Sequence, residues 1–195
     1  MAAETRERII EACERVIARG GLRGFRMGDV AREAGVSIGL LAYHFGDRDG
    51  LLQAALDHVN ESAARRAEAA SEQAASREAG NESRPPTDRL AALLCSEFGD
   101  DPQVRAGSTA WNELRAAAVF DTDRAAAVAR STADWQREVR GLLLEARPEI
   151  DPDPAALILT ALVEGLSGRW LTGQLTTAEA QRAVHEALRG LGMQV

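Results

Sequence analysis

The stretch MGDVAREAGVSIGLLAYHF, residues 27–45, decides the fold of this chain. Its first half places Val30 and Ala34 four residues apart, which is the spacing of one apolar helix face. Gly35 follows that face directly, at the position where a left-handed glycine ends a helix with little strain. Ser37 then supplies an N-cap hydroxyl for a second short helix. The stretch therefore predicts two short helices joined by a tight glycine turn.

Two short helices around a glycine turn are either a helix-turn-helix motif or an ordinary helical hairpin. The second helix favours the first interpretation, because Leu41 and Phe45 give it one inward face while an aromatic, a histidine and small groups remain outside. Asp47 then restarts a helix at once as an N-cap. Since the second helix of a helix-turn-helix enters the major groove, the sequence predicts DNA binding here.

The run AREAGVSIGLLAYHFGDRDGLL, residues 31–52, resembles the signature of the TetR family of bacterial repressors, A-x-x-A-G-V-S-x-G-x-x-Y-x-H-F-x-x-K/R-x-x-L-L. The resemblance implies an all-α protein with a three-helix helix-turn-helix DNA-binding domain, residues 1–55, and a helical ligand-binding and dimerisation domain, residues 56–195. It implies a ligand-responsive homodimeric repressor that binds a palindromic operator in double-stranded DNA and is released by a small-molecule effector. From Trp111 onward the chain resembles, more weakly, the choline-responsive subgroup of betaine-pathway repressors.

The same resemblance implies which residues contact DNA. Tyr43, His44 and Arg48 match positions at which family members hold phosphates, and such contacts position a protein without selecting a sequence. Base edges are then expected to meet the first turns of the second motif helix. The full predicted set is Arg26, Ser37, Ile38, Gly39, Leu40, Ala42, Tyr43, His44 and Arg48.

The predicted base-contacting surface departs from the family pattern. Ile38 stands where many members carry Lys or another polar residue, Arg26 where many carry a Thr N-cap, and Gly28 where some carry a guanine-binding arginine. We therefore expect thymine-methyl contacts and shape recognition to dominate, with Arg26 as a candidate guanine contact. The departures keep one alternative open: a helical adaptor or ligand-binding protein that has lost sequence-specific DNA binding.

Composition agrees with an all-α regulator. The 195 residues are 45% hydrophobic and only 4% aromatic, and all 23 basic residues are arginine. Alanine-rich, strand-poor composition favours helices, and we expect nine or ten of them. The net charge of −7 is unevenly distributed, with −1 in residues 1–60 and −6 in residues 61–195. A nearly neutral N-terminal segment followed by an acidic remainder is consistent with a protein that contacts DNA phosphates only through its N-terminal segment.

Periodicity and helix punctuation predict the order of the helices along the chain. An alanine-rich helix is expected to continue from the fourth helix over residues 61–80 as a lever between the domains, and residues 81–87 are expected to be a flexible connection because they contain two prolines. Besides the two motif helices, the other predicted helices cover residues 4–19, 88 to 98 or 99, 102–120, 122 to just before Pro148, 155–171, and 176 or 177 to 191.

The penultimate helix is a candidate dimer interface. Its sequence ALILTALVEGLSGRWL, residues 156–171, is apolar on more than one face, which suits a buried core helix or an interface to a second copy. We favour the interface, since the family dimerises through its last two helices. The predicted interface residues are Leu157, Ala161, Glu164, Gly165, Gly168, Val184 and Leu188.

An effector pocket between the middle helices is likewise implied by the resemblance. Large rings beside acids would suit a cationic ligand, although each ring alone also fits an ordinary core. A ligand there is expected to bias the spacing of the two DNA-binding domains through the fourth helix. The candidate residues are Phe98, Trp111, Glu113, Phe120, Trp135 and Glu138.

Other function classes find little support. The chain lacks H-E-x-x-H, G-x-S-x-G and glycine-rich phosphate-loop motifs, and His58 with Glu61 makes only a weak pair on a helix face. We therefore expect no enzyme, no cofactor and no metal. Cys13 and Cys95 are expected to be unpaired thiols. Without a signal peptide or a membrane-length apolar run, we expect a soluble cytoplasmic protein with no membrane contact.

Overall fold

The computed structural model describes residues 2–59, 61, 65 and 85–194, and within these ranges it contains nine α-helices and no β-strand. The all-α expectation is confirmed. No helix among these residues is both long and apolar enough to cross a bilayer. The helices are α1 Ala2–Gly20, α2 Met27–Ala34, α3 Ile38–Phe45, α4 48–59 with residues 61 and 65 also helical, α5 Pro86–Cys95, α6 Pro102–Ala118, α7 Thr122–Ala146, α8 Pro152–Leu171 and α9 Thr177–Gly190.

The fifth helix corrects one prediction. It was expected over 88–98 or 99, but it begins at Pro86, because proline at the first helical position needs no N–H donor there. It ends at Cys95, where the Ser96 hydroxyl donates to the Leu93 carbonyl at 2.8 Å and the Phe98 amide turns back to Cys95. Apart from the helical residues 61 and 65 and residues 85–87, the predicted alanine-rich lever and flexible connection lie outside the described part of the chain.

The N-terminal compact unit combines residues 1–60 with residues 101–131. Within it α1 packs on α2 and on α6, so a helix from much later in the chain helps to form this core. Each large aliphatic side chain buried there contributes roughly 1.5–3 kcal/mol. The domain bounds at residue 55 remain a prediction. The largest fully buried side chains of the unit are Ile9, Ile10, Ile17, Leu41, Leu51, Leu56 and Leu114.

Helix α6 also fixes the end of α1. The Glu113 carboxylate accepts the backbone N–H of Leu22 at 3.0 Å, immediately after α1 ends. Gly21 adopts φ +63°, and a Cβ there would lie only 2.9 Å from the Glu113 carboxylate. The left-handed backbone therefore favours glycine at this position, because a residue with a Cβ rarely adopts such a φ.

The second compact unit combines residues 61–100 with residues 132–195. Helices α5 and α8 each pack against α9. Phe98 and Trp170 meet edge to face, with ring centroids 5.9 Å apart and an interplanar angle of 88°. A reciprocal capping box starts α9, because Thr176 and Glu179 each accept the other's backbone N–H. This unit therefore has an aromatic and aliphatic core of its own.

Candidate nucleic-acid interface

The turn between α2 and α3 has the geometry that the sequence predicted. Gly35 caps α2 in the left-handed region at φ 66° and ψ 38°. The Val36 amide returns to the Ala31 carbonyl at 2.9 Å, which satisfies an acceptor at the helix end. Ser37 caps α3, since its hydroxyl oxygen accepts the Leu40 N–H at 3.1 Å. Two local caps thus fix the angle at which α3 leaves α2.

One side of α3 is anchored in the N-terminal core. Leu41 is fully buried, and half-buried Phe45 packs against the same core. The Arg6 guanidinium of α1 lies over the Phe45 ring, 5.4 Å from its centroid. The predicted inward pair of α3 is confirmed, and it leaves the opposite side of the helix uncovered within this unit.

The uncovered side of α3 presents an aromatic and aliphatic surface with the hydroxyls of Ser37 and Tyr43. Tyr43 is 82% exposed, Ile38 58% and Leu40 37%. His44 is half-buried, and its ring meets the Tyr43 ring edge-on at 5.3 Å. The remaining predicted contact residues on this helix, Ser37, Gly39 and Ala42, are exposed as well.

The start of α2 lies beside the start of α3. A Cβ placed on Gly28 would be 3.8 Å from the Cδ1 atom of Ile38, which is ordinary van der Waals contact. Arg26, the N-cap of α2, has extended backbone at φ −134° and is exposed two residues earlier. Gly28 and Ile38, two of the residues that depart from the family pattern, are therefore neighbours. They form a small apolar patch near Arg26.

Arg48, which was predicted to hold a phosphate, makes contacts inside its own unit. Its guanidinium lies over the Phe25 ring, 5.2 Å from the centroid, and donates to the Leu22 carbonyl at 3.4 Å. A weaker approach joins it to Asp49 at 3.9 Å. Arg48 thus ties the start of α4 to the loop between α1 and α2, so its replacement would disturb the fold together with any phosphate contact.

An ion-pair cluster holds α2 against α1. The Glu33 carboxylate accepts from Arg19 at 2.7 Å and from Arg15 at 3.0 Å. These hydrogen bonds, that of Arg19 first, lower the pKa of Glu33 to about 2. The sequence alone does not reveal this cluster, because its members lie on different helices and their pairing depends on the angle between α1 and α2.

The turn from α3 into α4 needs glycine at residue 50. The Asp47 carboxylate accepts the Gly50 N–H at 2.9 Å, which confirms the predicted N-cap. A Cβ on Gly50 would overlap the Phe45 carbonyl oxygen. Helix α4 can follow α3 this closely only without a side chain at that position.

Known proteins match both parts of the chain. Residues 9–55 match the family model of bacterial regulatory proteins of the tetR family, and residues 86–192 match the C-terminal model of BetI-type transcriptional repressors. The HTH-type transcriptional regulator BetI of Burkholderia ambifaria is 32% identical over 171 residues, which cover 87% of this chain and 82% of that protein. The chain belongs to the TetR family. It is a DNA-binding transcriptional regulator.

Solved structures of transcriptional regulators have the same fold. A protein from Rhodococcus described as a TetR-family transcriptional regulator has a TM-score of 0.84 at 41% identity, covering 96% of this chain and 97% of that one. A protein from Saccharomonospora viridis, described as a transcriptional regulator in complex with choline, has a TM-score of 0.71 at 22% identity and covers 96% of both chains. The second likeness concerns the fold alone.

The candidate effector residues of this TetR-family chain fall into both compact units. In the second unit Phe98 and Trp135 are buried and Glu138 is exposed. In the N-terminal unit Trp111 packs half-buried against the core, and Glu113 accepts the Leu22 amide. Phe120 is 92% exposed at the turn before α7. The rings and acids predicted from the sequence therefore lie in dissimilar environments. Their role in ligand binding remains a prediction.

The candidate dimer residues also differ from one another. Leu157, Ala161 and Gly165 are exposed at four-residue intervals along α8, while Glu164 and Gly168 are half-buried. Ile158, which the prediction left out, is as exposed as Leu157. Val184 and Leu188 of α9 are fully buried within the chain, so a partner subunit has no surface of theirs to contact. The interface proposed below therefore omits these two residues.

Proposed function

We propose that this TetR-family regulator is a homodimeric repressor of the bacterial cytoplasm that binds a palindromic operator and is released by a small cationic molecule. The observation that carries the DNA-binding part is the exposed side of α3, where Tyr43 and Ile38 stand outside a helix whose other side is buried. A short helix with one anchored and one exposed side suits insertion into a major groove.

Base recognition is proposed to rest on apolar contacts. The Ile38 and Leu40 side chains and the Ala42 methyl group suit thymine methyls, and the neighbouring Gly28 leaves room for close approach. Tyr43 and His44 are proposed to hold phosphates. Arg48 is retained as a phosphate contact, although its contacts with Phe25 and Leu22 also give it a structural role.

Fluorescence anisotropy with DNA flanking the protein's own gene tests this proposal. Tyr43→Ala removes an exposed ring, so it is expected to weaken operator binding at least tenfold without lowering Tm. Phe120→Ala is the matched control, because it removes a similarly exposed ring from the same compact unit but not from α3. Binding should also weaken steeply with salt.

Two results would contradict the DNA-binding proposal. Equal loss of affinity in Tyr43→Ala and Phe120→Ala would assign the effect to something other than the α3 surface. Equal affinity of the wild type for flanking DNA and for bulk DNA, at moderate salt, would favour the alternative of a helical adaptor or ligand-binding protein that has lost specific DNA binding.

Dimerisation is proposed to use α8. Leu157 and Ile158 are each 61% exposed, and Ala161 and Gly165 continue this strip with small residues that allow a partner helix to approach closely. Four exposed apolar or small residues on one helix side suit a self-complementary two-fold interface.

Sedimentation velocity tests the dimer. Ala161→Arg places a charged side chain in the middle of the strip and is expected to yield monomers. Ala133→Arg on α7 is the matched control, because Ala133 is also an exposed helical alanine of the second unit. A wild type that sediments as a monomer at micromolar concentration, or a dimer that survives Ala161→Arg, would contradict the proposal.

The effector is proposed to be a small quaternary ammonium compound held by aromatic rings and an acid. The match to BetI-type repressors over residues 86–192 and the choline complex of the structural neighbour support this chemistry, which ring faces attract through their quadrupole. The proposed rings are Phe98 and Trp135, with Glu138 as the acid, all in the second compact unit. The other predicted residues, Trp111, Glu113 and Phe120, belong to the N-terminal unit and are left out of this proposal.

Choline titrated into the protein–DNA complex tests the effector. Choline is expected to release the DNA. Sodium chloride at the same concentration is the control and should leave DNA binding unaffected. Isothermal titration with Trp135→Leu, a change that keeps an apolar side chain at a buried position, should show weaker choline binding. The absence of a heat signal with choline at millimolar concentration would reject this effector class while leaving the DNA experiment unaffected.

A further inference from the structure

Two carboxylates and one imidazole come together in the N-terminal unit. Glu7 and Glu11 lie one turn apart on α1 and therefore project from the same side of that helix. His58 of α4 is 7% exposed. One ligand atom from each of the three residues lies within 4.8 Å of the other two. Such a group on two different helices has the composition of a metal site.

The donor set selects a class of ion. Imidazole nitrogen with carboxylate oxygens suits divalent first-row transition ions, whereas Mg²⁺ and Ca²⁺ prefer oxygen ligands alone. Three protein ligands with water in the fourth position form the common open zinc site. Tetrahedral zinc ligands lie about 3.4 Å apart, and rotation of the exposed Glu7 side chain can bring its carboxylate toward that spacing from the present separations of at most 4.8 Å.

A second layer of contacts orients one of the carboxylates. The Gln103 side-chain amide donates to Glu11 Oε1 at 2.7 Å, and an Arg15 nitrogen approaches Glu11 Oε2 at 3.8 Å. Gln103 belongs to the first turn of α6, so the Glu11 carboxylate is held from a second helix. Oxygens that accept one hydrogen bond keep a lone pair for a metal, and such outer contacts are usual around metal ligands.

We propose that Glu7, Glu11 and His58 form a binding site for a divalent transition ion, with Zn²⁺ as the best fit, that fastens α4 to α1. The sequence alone does not reveal this site, because residue 58 is far along the chain from the two glutamates. The bound ion would stabilise the N-terminal unit, since it binds the folded arrangement of two helices and not the unfolded chain.

Zinc titration of the tag-free, chelator-treated full chain tests the site. Competition with a chromophoric chelator is expected to show one Zn²⁺ per chain, with a rise in Tm, and with much weaker binding of Mg²⁺ and Ca²⁺. Glu7→Gln should lower zinc affinity at least tenfold. Glu4→Gln on the same helix is the matched control and should leave zinc affinity unchanged.

Further variants keep the result unambiguous. Glu11→Gln and His58→Gln should also weaken zinc binding, with circular dichroism to verify their fold. A cobalt-loaded sample should show tetrahedral bands without a thiolate charge-transfer band, which separates this site from the cysteines. Absence of stoichiometric zinc binding, or binding that Glu7→Gln and Glu11→Gln both leave unchanged, would overturn the proposal.

Discussion

Replacing Gly50 by alanine should loosen the junction between α3 and α4. The added Cβ would overlap the Phe45 carbonyl oxygen, and a backbone atom cannot move aside as the end of a flexible side chain does. Overpacking of this kind costs about 1–3 kcal/mol, and we take the upper end because both partners are main-chain or Cβ atoms. Alanine has a higher helix propensity than glycine, which offsets about 1 kcal/mol of this cost. The net loss of unfolding free energy is therefore about 2 kcal/mol.

Thermal unfolding followed by circular dichroism measures this loss. For a chain of this length about 2 kcal/mol corresponds to a Tm decrease of roughly 4–8 °C. Gly141→Ala in α7 is the matched control, because a Cβ there meets nothing within 4 Å. It is expected to raise Tm by about 2–4 °C through helix propensity alone. If Gly50→Ala melts at or above the wild-type temperature, the argument from the Phe45 carbonyl is refuted.

Three further changes test individual contacts. Glu33→Gln should remove the stability that the ionised Glu33 carboxylate provides. Because the pKa of Glu33 in the folded protein is about 2, below its ordinary value of 4.5, this stability is fully present above pH 4.5 and is lost as the pH falls toward 2. Acid titration of Tm should therefore be shallower for Glu33→Gln than for the wild type, and identical curves would contradict the pairing with Arg19. Glu113→Ala leaves the Leu22 amide without its carboxylate acceptor and should destabilise the protein by about 1–2 kcal/mol, measured by urea unfolding against Glu145→Ala, an exposed glutamate of α7. Thr176→Ala removes the N-cap of α9 and should lose about 1 kcal/mol in the same assay, whereas Thr176→Ser should lose little.

Local chemistry was predictable where one helix end or one turn decides the outcome. Gly35 and Ser37 were identified as C-cap and N-cap from sequence, and both roles are confirmed by their dihedral angle and hydrogen bond. Asp47 was identified in the same way. These features depend on residues at most five positions apart, so the order of residue types along the chain was sufficient to find them.

Contacts between distant segments were not predictable in this way. Arg48 was expected to be available for phosphate, yet the position of the loop between α1 and α2 brings Phe25 and the Leu22 carbonyl to it. Glu113 was predicted to be a pocket residue, which stays a prediction, and the packing of α6 on α1 gives its carboxylate a backbone amide that the sequence did not reveal. In both cases the angle between helices decides the partner.

The sequence by itself determined that the chain is helical, where the motif helices begin and end, and that the family is TetR. It did so because caps, glycine turns and apolar periodicity act over a few residues. Only the tertiary structure decided which sides of those helices remain exposed. Tyr43 stands outside while Leu188 is fully buried, and Glu7, Glu11 and His58 meet across α1 and α4. Burial is a property of whole packed surfaces, and for that reason no short stretch of sequence contains it.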